Sequence, residues 1–265
     1  MNPSLKTQVA QLLSTGPVHT LDVAREALRL RGPESAAAAA VFTLLDGDPR
    51  FQVDQEGNWS LDHARPSPGR PLPRVPYAVV DVETTGGGWR RGDRVTEVAV
   101  VPVTEGQVGD GLESLVNPGR SIPPRIQGLT GITDEMVRGA PTFTGLAPRV
   151  EAALEGRVFV AHNVRFDWGF IRSELLASTG DAPEPSLLCT LRMGRFLLPR
   201  LRRYGLDALT RHFGIPIHSR HRAYGDALAT ARLLLHLLRE AESQGFGDLH
   251  SLEEAMSGRG PKRKS

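Results

Sequence analysis

The chain has 265 residues, of which 40% are hydrophobic and 23% charged, and its formal net charge is +2 at pH 7. This length allows one large domain or two modest ones with a sizeable hydrophobic core. A single cysteine, Cys189, excludes an intramolecular disulfide framework and a zinc site built from several cysteines. The N-terminus lacks a secretory pattern and no apolar run approaches membrane length, so we expect a cytoplasmic protein without a membrane partner.

The first part of the chain predicts a small module of helices and a hairpin. Helices are expected at 4–13, 20–30 and 33–45, and hairpin strands at 51–53 and 58–61. Thr20 is a candidate N-cap, because a threonine hydroxyl can accept a hydrogen bond from the first helical turn. Three helices followed by a hairpin resemble a winged helix, and we assign residues 1–61 to such a module.

The charge of this module bears on its role. Residues 1–61 contain five basic and seven acidic side chains, which gives a net charge of −2. A module that reads duplex DNA is expected to be basic, because phosphate neutralisation supplies most of its non-specific affinity. We therefore favour contact with a protein partner, or a purely structural role, over DNA binding. Arg25, Arg29 and Arg31 keep DNA binding open as the alternative.

A proline-rich segment follows the module. Its prolines are Pro66, Pro68, Pro71, Pro73 and Pro76. Such a segment is extended and semi-rigid, so we interpret residues 62–76 as a linker that spaces two parts of the chain apart and does not pack them together. The second part is expected at 77–240, and the tail 241–265, which ends in a basic run after glycines, is expected to be disordered.

A pair of acids opens the second part. The apolar run 77–82 predicts a strand, and its two-residue period puts Asp81 and Glu83 on one face. Two carboxylates on one face repel each other, so they imply a bound cation or a functional proton. Ligands that are all oxygen atoms favour Mg²⁺ or Mn²⁺. Taken alone, the pair has an alternative explanation as an ordinary strand end with exposed acids.

Two further blocks carry acids and a histidine. After the apolar strand 157–161, Asp167 is expected near the start of a helix that ends at about Ala177, where an acid favoured by the helix dipole is the alternative. Asp226 is expected in the first turns of another helix, and His221 on the loop before it. A histidine five residues before a metal-binding acid suits a general base. A surface loop histidine is the alternative.

Together, the three blocks resemble the DEDDh family of 3′-5′ exonucleases, the DnaQ-like group that includes the proofreading epsilon subunit of bacterial DNA polymerase III. The resemblance covers about 76–240. It implies that two Mg²⁺ or Mn²⁺ ions are bound by Asp81, Glu83, Asp167 and Asp226, and that His221 is the general base. The sister DEDDy branch has a tyrosine four residues before the last acid, where this chain has Arg222. The histidine subtype is therefore favoured.

The same resemblance implies a set of substrate contacts. Residues expected to face the terminal nucleotide are Thr84, Thr85, Gly86, Leu129, Thr130, His162, Asn163 and Phe166. Segment 127–133 is similar to the family's loop beside that nucleotide. Leu129 and Phe166 would wedge or stack on bases, and burial in the core is the alternative for both. His162 is expected to support the site by hydrogen bonding and not as a metal ligand.

Two positions depart from the family pattern. Gln127 stands where the family's loop usually begins with histidine, and Cys189 stands where an aspartate often precedes the next threonine. Neither is among the five catalytic positions. The departures therefore bear on substrate selection and not on the reaction itself.

An arginine-rich run precedes the third block. Its members are Arg192, Arg195, Arg200, Arg202 and Arg203. A nucleic-acid strand that enters the site needs phosphate contacts, so the run is a candidate phosphate-binding surface. A solvated helix face is an equal alternative.

The resemblance also implies the fold and the reaction. We expect a ribonuclease H-like mixed sheet flanked by helices, with strands near 77–83, 95–103, 108–116, 157–161 and 187–190. We expect hydrolysis of single-stranded DNA or frayed 3′ ends to nucleoside 5′-monophosphates, in repair, proofreading or end processing. RNA trimming is the main alternative, because nothing in the sequence reads the 2′-hydroxyl. A catalytically idle nucleic-acid-binding or polymerase-scaffolding protein is disfavoured, because all five catalytic positions are intact.

Overall fold

The structure is a computed structural model that describes residues 5–13, 16–45, 51–61 and 71–257. The chain divides into two compact units, each with a hydrophobic core of its own. The N-terminal unit comprises residues 1–64 with 179–184, and the second unit comprises residues 65–178 and 185–265. The boundary after residue 64 lies inside the segment that the sequence predicts as a linker.

The N-terminal unit combines helices with a small antiparallel sheet. Its described elements are α1 (Leu5–Leu13), β1 (Val18–His19), α2 (Thr20–Glu26), α3 (Glu34–Leu45), β2 (Phe51–Val53) and β3 (Asn58–Leu61). The sheet order is β1-β3-β2, and both pairings are antiparallel. The predicted helices and hairpin are therefore present, although α2 ends earlier than predicted. The likeness to a winged helix stays an interpretation of their order.

Thr20 does not cap α2 as predicted. The N-cap is His19, whose ring nitrogen accepts a hydrogen bond from Leu21 N over 3.4 Å. The Thr20 hydroxyl instead donates to Gly57 O over 2.7 Å and accepts from Trp59 Nε1 over 3.0 Å. This buried threonine therefore joins the start of the helix to the hairpin, and tertiary contacts take the hydroxyl that a cap would use.

The second unit contains, within its described residues, a six-stranded mixed sheet. Its strands are β4 (Tyr77–Thr84), β5 (Val95–Thr104), β6 (Gln107–Val108), β7 (Leu112–Leu115), β8 (Val158–Ala161) and β9 (Leu187–Cys189). The order is β6-β5-β4-β8-β9, with β7 also paired to β5. β5 runs antiparallel to β4, whereas β8 is parallel to β4 and β9 is parallel to β8.

This topology confirms the predicted mixed sheet, but the predicted strand 108–116 is two short strands. Glycines break the run between β6 and β7. A Cβ on Gly111 would lie 2.7 Å from Val100 O, so the chain passes close to the backbone of β5 at this point. Such a close approach requires glycine and interrupts a regular strand.

Helices flank this sheet. They are α4 (Pro124–Thr130), α5 (Asp134–Arg138), α6 (Phe143–Leu154), α7 (Val164–Thr179), α8 (Thr190–Leu197), α9 (Leu206–His212), α10 (Ala223–Ser243) and α11 (Leu249–Met256). α10 packs on β4 and β5 through a buried face that includes Ala227, Ala231 and Leu234. Within the described ranges, none of the helices is both long enough and apolar enough to cross a membrane.

The second half of the predicted linker packs against the core, which corrects the prediction that the linker only separates two parts. Leu72–Arg74 forms a 3₁₀ helix, and Leu72 and Val75 are fully buried. The Tyr77 hydroxyl donates to Leu72 O over 2.8 Å. The apolar residues between the prolines gain more from burial than the segment gains from remaining extended in solvent. The other part of the predicted linker, 62–70, lies outside the described residues.

The prediction of a disordered C-terminal tail is wrong for the described part. α10 continues to Ser243 and is followed by α11. Asp248 caps α11 through its side chain, and Leu249 and Leu252 are buried in the core of the second unit. A capping acid and two apolar residues three positions apart favour an ordered helix here. Residues 258–265 lie outside the described residues.

Candidate active site

Asp81 and Glu83 lie on one face of β4, as the strand period predicts. Across the sheet, Asp81 pairs with Ala99 of β5, and Glu83 pairs with Glu97. The register shifts between Glu83 and Thr84, at the carboxyl end of the strand. Two acids therefore stand near the end of the central strand, and a third acid, Glu97, lies beside Glu83.

Asp167 is brought to the same place by α7. It lies in the first turn of this helix and is buried. Its Oδ1 accepts a hydrogen bond from the backbone N–H of Val82 over 3.3 Å. Val82 lies between Asp81 and Glu83, so this bond places the Asp167 carboxylate beside both. An acid that only stabilises the helix dipole would remain at the surface.

Asp226 and His221 come from α10 and the loop before it. Asp226 is buried in the first turn, and its Oδ2 accepts hydrogen bonds from the backbone N–H of His221, over 3.3 Å, and from Arg220. His221 is half-buried and has a positive φ of 62°. One side-chain oxygen or nitrogen atom from each of Glu83, His221 and Asp226 lies within 4.8 Å of the other two, close enough to hold one metal ion. The structure thus brings the predicted acids and histidine together from three separate elements.

Burial raises the pKa values of all four carboxyls, and repulsion by neighbouring carboxylates adds to the rise at Asp81 and Glu83. Burial raises the pKa of Glu83 to about 8, and the charges of Asp226 and Glu97 add to the rise. Burial also raises the pKa of Asp167 to about 7. The pKa of Asp81 is raised well above its usual range by burial and then by Asp167 and Asp226. Burial raises the pKa of Asp226 too, although the charge of Arg220 opposes this.

The residues present fit a hard divalent cation. In the part of the chain that the structure describes, Asp226 Oδ1 is buried and has no hydrogen-bond partner. The neighbouring carboxylates of Asp81, Glu83 and Asp167 add further oxygen atoms, and a cation would offset the repulsion that adds to the raised pKa values of Asp81 and Glu83. Oxygen donors of this kind favour Mg²⁺ or Mn²⁺.

Arg220 and Asp207 also belong to the site, although the sequence does not reveal them. The Arg220 guanidinium donates to Asp226 and, over 2.8 Å, to Asp207 Oδ1. The hydrogen bond from Arg220 lowers the pKa of Asp207. Arg220 is therefore held between an exposed acid of α9 and a buried acid of α10. One arginine beside a loop histidine carries no signal in a chain with 32 lysines and arginines.

The turn after β4 uses its threonine hydroxyls internally. Thr84 Oγ1 donates to Gly86 O over 2.7 Å, and Thr85 Oγ1 accepts from Arg94 N over 3.0 Å. Both threonines are buried. A Cβ on Gly86 would lie 2.4 Å from Asp93 Oδ2, so a larger residue there would displace the Asp93 carboxylate. Contact of these residues with a substrate through their backbone stays a prediction.

The segment 127–133, expected as a loop, lies mostly in α4. Leu129 is 54% exposed, so the alternative of core burial does not apply to it. Thr130 is buried, and its hydroxyl donates to Ile126 O and accepts from Ile132 N. An apolar side chain is thus available to a partner on this helix, whereas the Thr130 hydroxyl is used within the turn. Substrate contact by either residue stays a prediction.

His162, Asn163 and Phe166 follow β8. His162 Nδ1 lies 3.0 Å from Thr190 Oγ1, and burial lowers the pKa of His162 to about 4. A neutral imidazole with a hydrogen-bonding partner agrees with the supporting role predicted for it. Asn163 is exposed and has a positive φ of 126°. The half-buried Phe166 ring contacts Phe170, with centroids 5.0 Å apart.

Comparison with known proteins decides the family. The sequence profile of the family RNase_T, described as Exonuclease, matches residues 78–234, more than half of the chain. The chain belongs to this exonuclease family. It is 34% identical over 176 residues to the 3′-5′ exonuclease DinG of Bacillus subtilis, covering 66% of this chain and 19% of that protein. It is 36% identical over 180 residues to a DNA polymerase III subunit epsilon-like protein of Rhodobacter capsulatus, covering 66% and 25%.

The chain therefore spans only a minor part of the length of these relatives. A Mycobacterium tuberculosis protein named as a bifunctional exonuclease/endonuclease is 38% identical over 235 residues, covering 86% of this chain and 35% of that protein. Since the second unit alone is shorter than this match, the likeness extends into the N-terminal unit.

Two solved structures with bound DNA share the fold of the exonuclease domain. Exonuclease X in complex with 5′ overhanging duplex DNA superposes with a TM-score of 0.53 at 26% identity, covering 63% of this chain and 93% of that one. E. coli Exonuclease I in complex with a dT13 oligonucleotide superposes with a TM-score of 0.57 at 21% identity, covering 64% and 42%. The second likeness shows the ribonuclease H-like fold alone.

The exonuclease domain presents its arginine-rich run to solvent. All members of the run are exposed, namely Arg192 and Arg195 on α8 and Arg200, Arg202 and Arg203 on the loop before α9. This loop leads directly into α9, whose Asp207 binds Arg220 of the site. The run is thus linked to the carboxylate cluster through α9.

Proposed function

We propose that the exonuclease domain is a DEDDh enzyme, a two-metal-dependent 3′-5′ exonuclease that shortens DNA and releases nucleoside 5′-monophosphates. The convergence of acids from β4, α7 and α10 beside one histidine carries this proposal. These acids are Asp81, Glu83, Asp167 and Asp226. Their raised pKa values and the unpartnered Asp226 Oδ1 support a role as ligands of Mg²⁺ or Mn²⁺.

His221 has a different role from the acids. When bound, the ions would lower the pKa of the attacking water and stabilise the leaving 3′-oxygen. His221 would accept the proton of that water, and its half-buried position would let it pass the proton on to solvent. The oxygen of that water bonds to the phosphorus, and the bond to the 3′-oxygen breaks. The 3′-oxygen takes up a proton from solvent and becomes the 3′-hydroxyl of the shortened strand, and the terminal nucleotide leaves with a 5′-phosphate. Arg222 four residues before Asp226, where the sister branch has tyrosine, supports the histidine subtype.

Single-stranded DNA and frayed 3′ ends are the substrates that we propose, in repair, proofreading or end processing. The exposed arginine run would contact phosphates, and Leu129 and Phe166 would contact the terminal bases. The DNA in the complexes of Exonuclease X and Exonuclease I supports this class of substrate. The acidic balance of residues 1–61 favours a protein partner for the N-terminal unit.

The test uses labelled substrates of matched sequence with Mg²⁺ or Mn²⁺; the linear strands carry a 5′ label, and the closed circle, which has no 5′ end, carries an internal label. They are single-stranded DNA, duplex DNA with a mismatched 3′ end, RNA, and a closed circular single strand. Linear DNA should shorten stepwise and release nucleoside 5′-monophosphates, while the circle resists. Cutting of the circle by the wild-type protein but not by the Asp81→Ala variant would contradict the exonuclease assignment. Faster shortening of RNA than of DNA would favour the exoribonuclease alternative.

A further inference from the structure

Glu97 is a buried acid of β5 that is not among the four proposed metal ligands, so its role in the site is still to be explained. Its side chain is 1% exposed and lies across from Glu83. Arg222 Nε lies 3.0 and 3.1 Å from its two oxygens, and Arg222 Nη2 lies 2.5 Å from Oε1. The backbone N–H of Ala223 donates to Oε2 over 2.8 Å. Two consecutive residues therefore supply donors to both oxygens of Glu97.

These two residues lie between the proposed general base and the last acid of the site. Arg222 directly follows His221 and is the N-cap of α10, and Ala223 is the first residue of that helix. Asp226 lies in the same turn. Glu97 thus holds the chain where the His221 loop becomes helix, and a carboxylate at a helix N-terminus is favoured by the helix dipole.

The loop that Glu97 holds has an unfavourable backbone conformation. Ser219 and His221 have positive φ values of 55° and 62°, a backbone conformation that residues other than glycine rarely adopt. A Cβ on Gly225 would lie only 2.0 Å from His218 O, so the loop lies directly against the first turn of α10. Such a conformation persists only where the surrounding structure imposes it. The contacts of Glu97 with Arg222 and Ala223 provide that constraint from the sheet.

We propose that Glu97 is a positioning residue, which fixes His221 and Asp226 relative to the acids of β4 through Arg222 and the Ala223 N–H. This inference rests on the proposed exonuclease function. It also separates Glu97 from the metal ligands, because donors from the chain already occupy both of its oxygens. Four acids bind metal, and the fifth holds the loop.

A matched control lies on another helix of the same unit. Glu174 of α7 is also buried, and it accepts hydrogen bonds from Arg94 Nε over 2.8 Å, Arg94 Nη2 over 2.7 Å and Val95 N over 3.1 Å. Its carboxylate thus has the same kind of partners as that of Glu97, an arginine and the next backbone N–H. These contacts join β5 to α7 and not to the His221 loop.

The kinetic test compares Glu97→Ala and Glu174→Ala in the wild-type and His221→Ala backgrounds. Glu97→Ala should lower kcat by about 10- to 100-fold, with KM changed by less than about threefold. In the His221→Ala background the further loss should be smaller than in the wild type, because one of the two residues that Glu97 positions is already absent. Glu174→Ala should have the same effect in both backgrounds. Glu97→Gln, which keeps one acceptor oxygen, should give an intermediate loss.

A second measurement does not need activity. Amide hydrogen exchange at Ala223 should be faster in Glu97→Ala and unchanged in Glu174→Ala. If Glu97→Ala does not fold, Arg222→Gln serves the same comparison. Equal losses in the two His221 backgrounds, or a loss of Mn²⁺ binding as large as that of Asp226→Ala, would overturn the positioning role. The two measurements also separate this inference from the proposed function. If the wild-type protein has no exonuclease activity, the proposed function is wrong. If amide exchange at Ala223 is still faster in Glu97→Ala, the contact between Glu97 and α10 is retained.

Discussion

Asp167 Oδ1 accepts a hydrogen bond from the backbone N–H of Val82, 3.3 Å away. Because Val82 lies between Asp81 and Glu83, this bond fixes α7 against β4 in the middle of the carboxylate cluster. The bond favours the charged form of Asp167, but burial outweighs it and raises the pKa of Asp167 to about 7. The cluster therefore contains acids that titrate near neutral pH, and the stability of the fold should depend on pH there.

In the presence of a chelator, the protein should become less stable as pH rises from about 6.5 to 8. Glu83 and Asp167 have pKa values raised to about 8 and about 7, so the folded chain holds more protons than the unfolded chain in this window. Each such proton lowers the free energy of unfolding by at most about 1.4 kcal/mol per pH unit. His162 has the opposite effect on stability, because burial lowers its pKa to about 4. This effect is confined to pH values below the usual pKa of histidine, which lie outside the window. Thermal unfolding across the window measures the trend.

Mg²⁺ or Mn²⁺ should weaken this trend, because a bound cation replaces protons at the carboxylates. The Asp226→Asn variant is the control. It removes one charge from the cluster, so both its pH dependence and its stabilisation by ions should be smaller than those of the wild type. A melting temperature that rises with pH in chelator would show that the acids are not protonated in the folded protein.

Replacing His221 should separate the general base from the metal ligands. His221→Ala should lower turnover by about 10²- to 10⁴-fold, the usual cost of losing a general base, and should leave ion binding largely intact. Asp81→Ala and Asp226→Ala should lose both activity and ion affinity. Turnover and Mn²⁺ titration of the three variants check this. Equal loss of ion affinity in all three would make His221 a ligand, and near-normal turnover of His221→Ala would remove it from the mechanism.

Gly225→Ala should displace the His221 loop. The added Cβ would lie 2.0 Å from His218 O, a backbone atom that cannot rotate away. We expect a loss of about 1–3 kcal/mol in the free energy of unfolding, as for overpacked sites, together with a lower kcat. Gly139→Ala is the control, because a Cβ there has no neighbour within 4 Å. If Gly225→Ala keeps wild-type stability and kcat, as Gly139→Ala should, the loop does not depend on its contact with α10.

Local sequence pattern predicted the site residues better than their surroundings. The two-residue period of the strand predicted that Asp81 and Glu83 lie on one face, and the local pattern predicted that Asp167 and Asp226 lie near the starts of helices. Each of these predictions depends only on a few neighbouring residues. The role of Glu97 depends on the register between β4 and β5 and on a contact with a residue 125 positions away. An acid inside the apolar run of β5 was a signal, but its partner could not be read from the chain.

The errors in the prediction have the same origin. Leu72 lies among prolines and Leu249 lies in a polar tail, so composition favours an extended linker and a disordered end. Both leucines are buried in the core of the second unit, and that burial depends on the folded surface that receives them. Thr20 is a similar case, because its hydroxyl bonds with the distant hairpin residues Gly57 and Trp59 replace the local cap.

Removing residues 1–64 should leave an active exonuclease. The second unit has its own core and holds all of the site residues, so short single strands should be degraded at rates within a few-fold of the full-length chain. A chain that begins at residue 77 is the informative contrast. It lacks Leu72 and Val75, and each lost side chain should cost about 1.5–3 kcal/mol of stability.

Thermal unfolding and turnover on short and long substrates should separate these effects. The chain from residue 65 should match the full-length protein in stability of the second unit, and the chain from residue 77 should not. If the chain from residue 65 folds but loses affinity for short single strands by more than about tenfold, roughly 1.4 kcal/mol, the N-terminal unit binds substrate. The net charge of −2 of residues 1–61 would then conceal a local basic surface, for which Arg25, Arg29 and Arg31 are the first residues to replace.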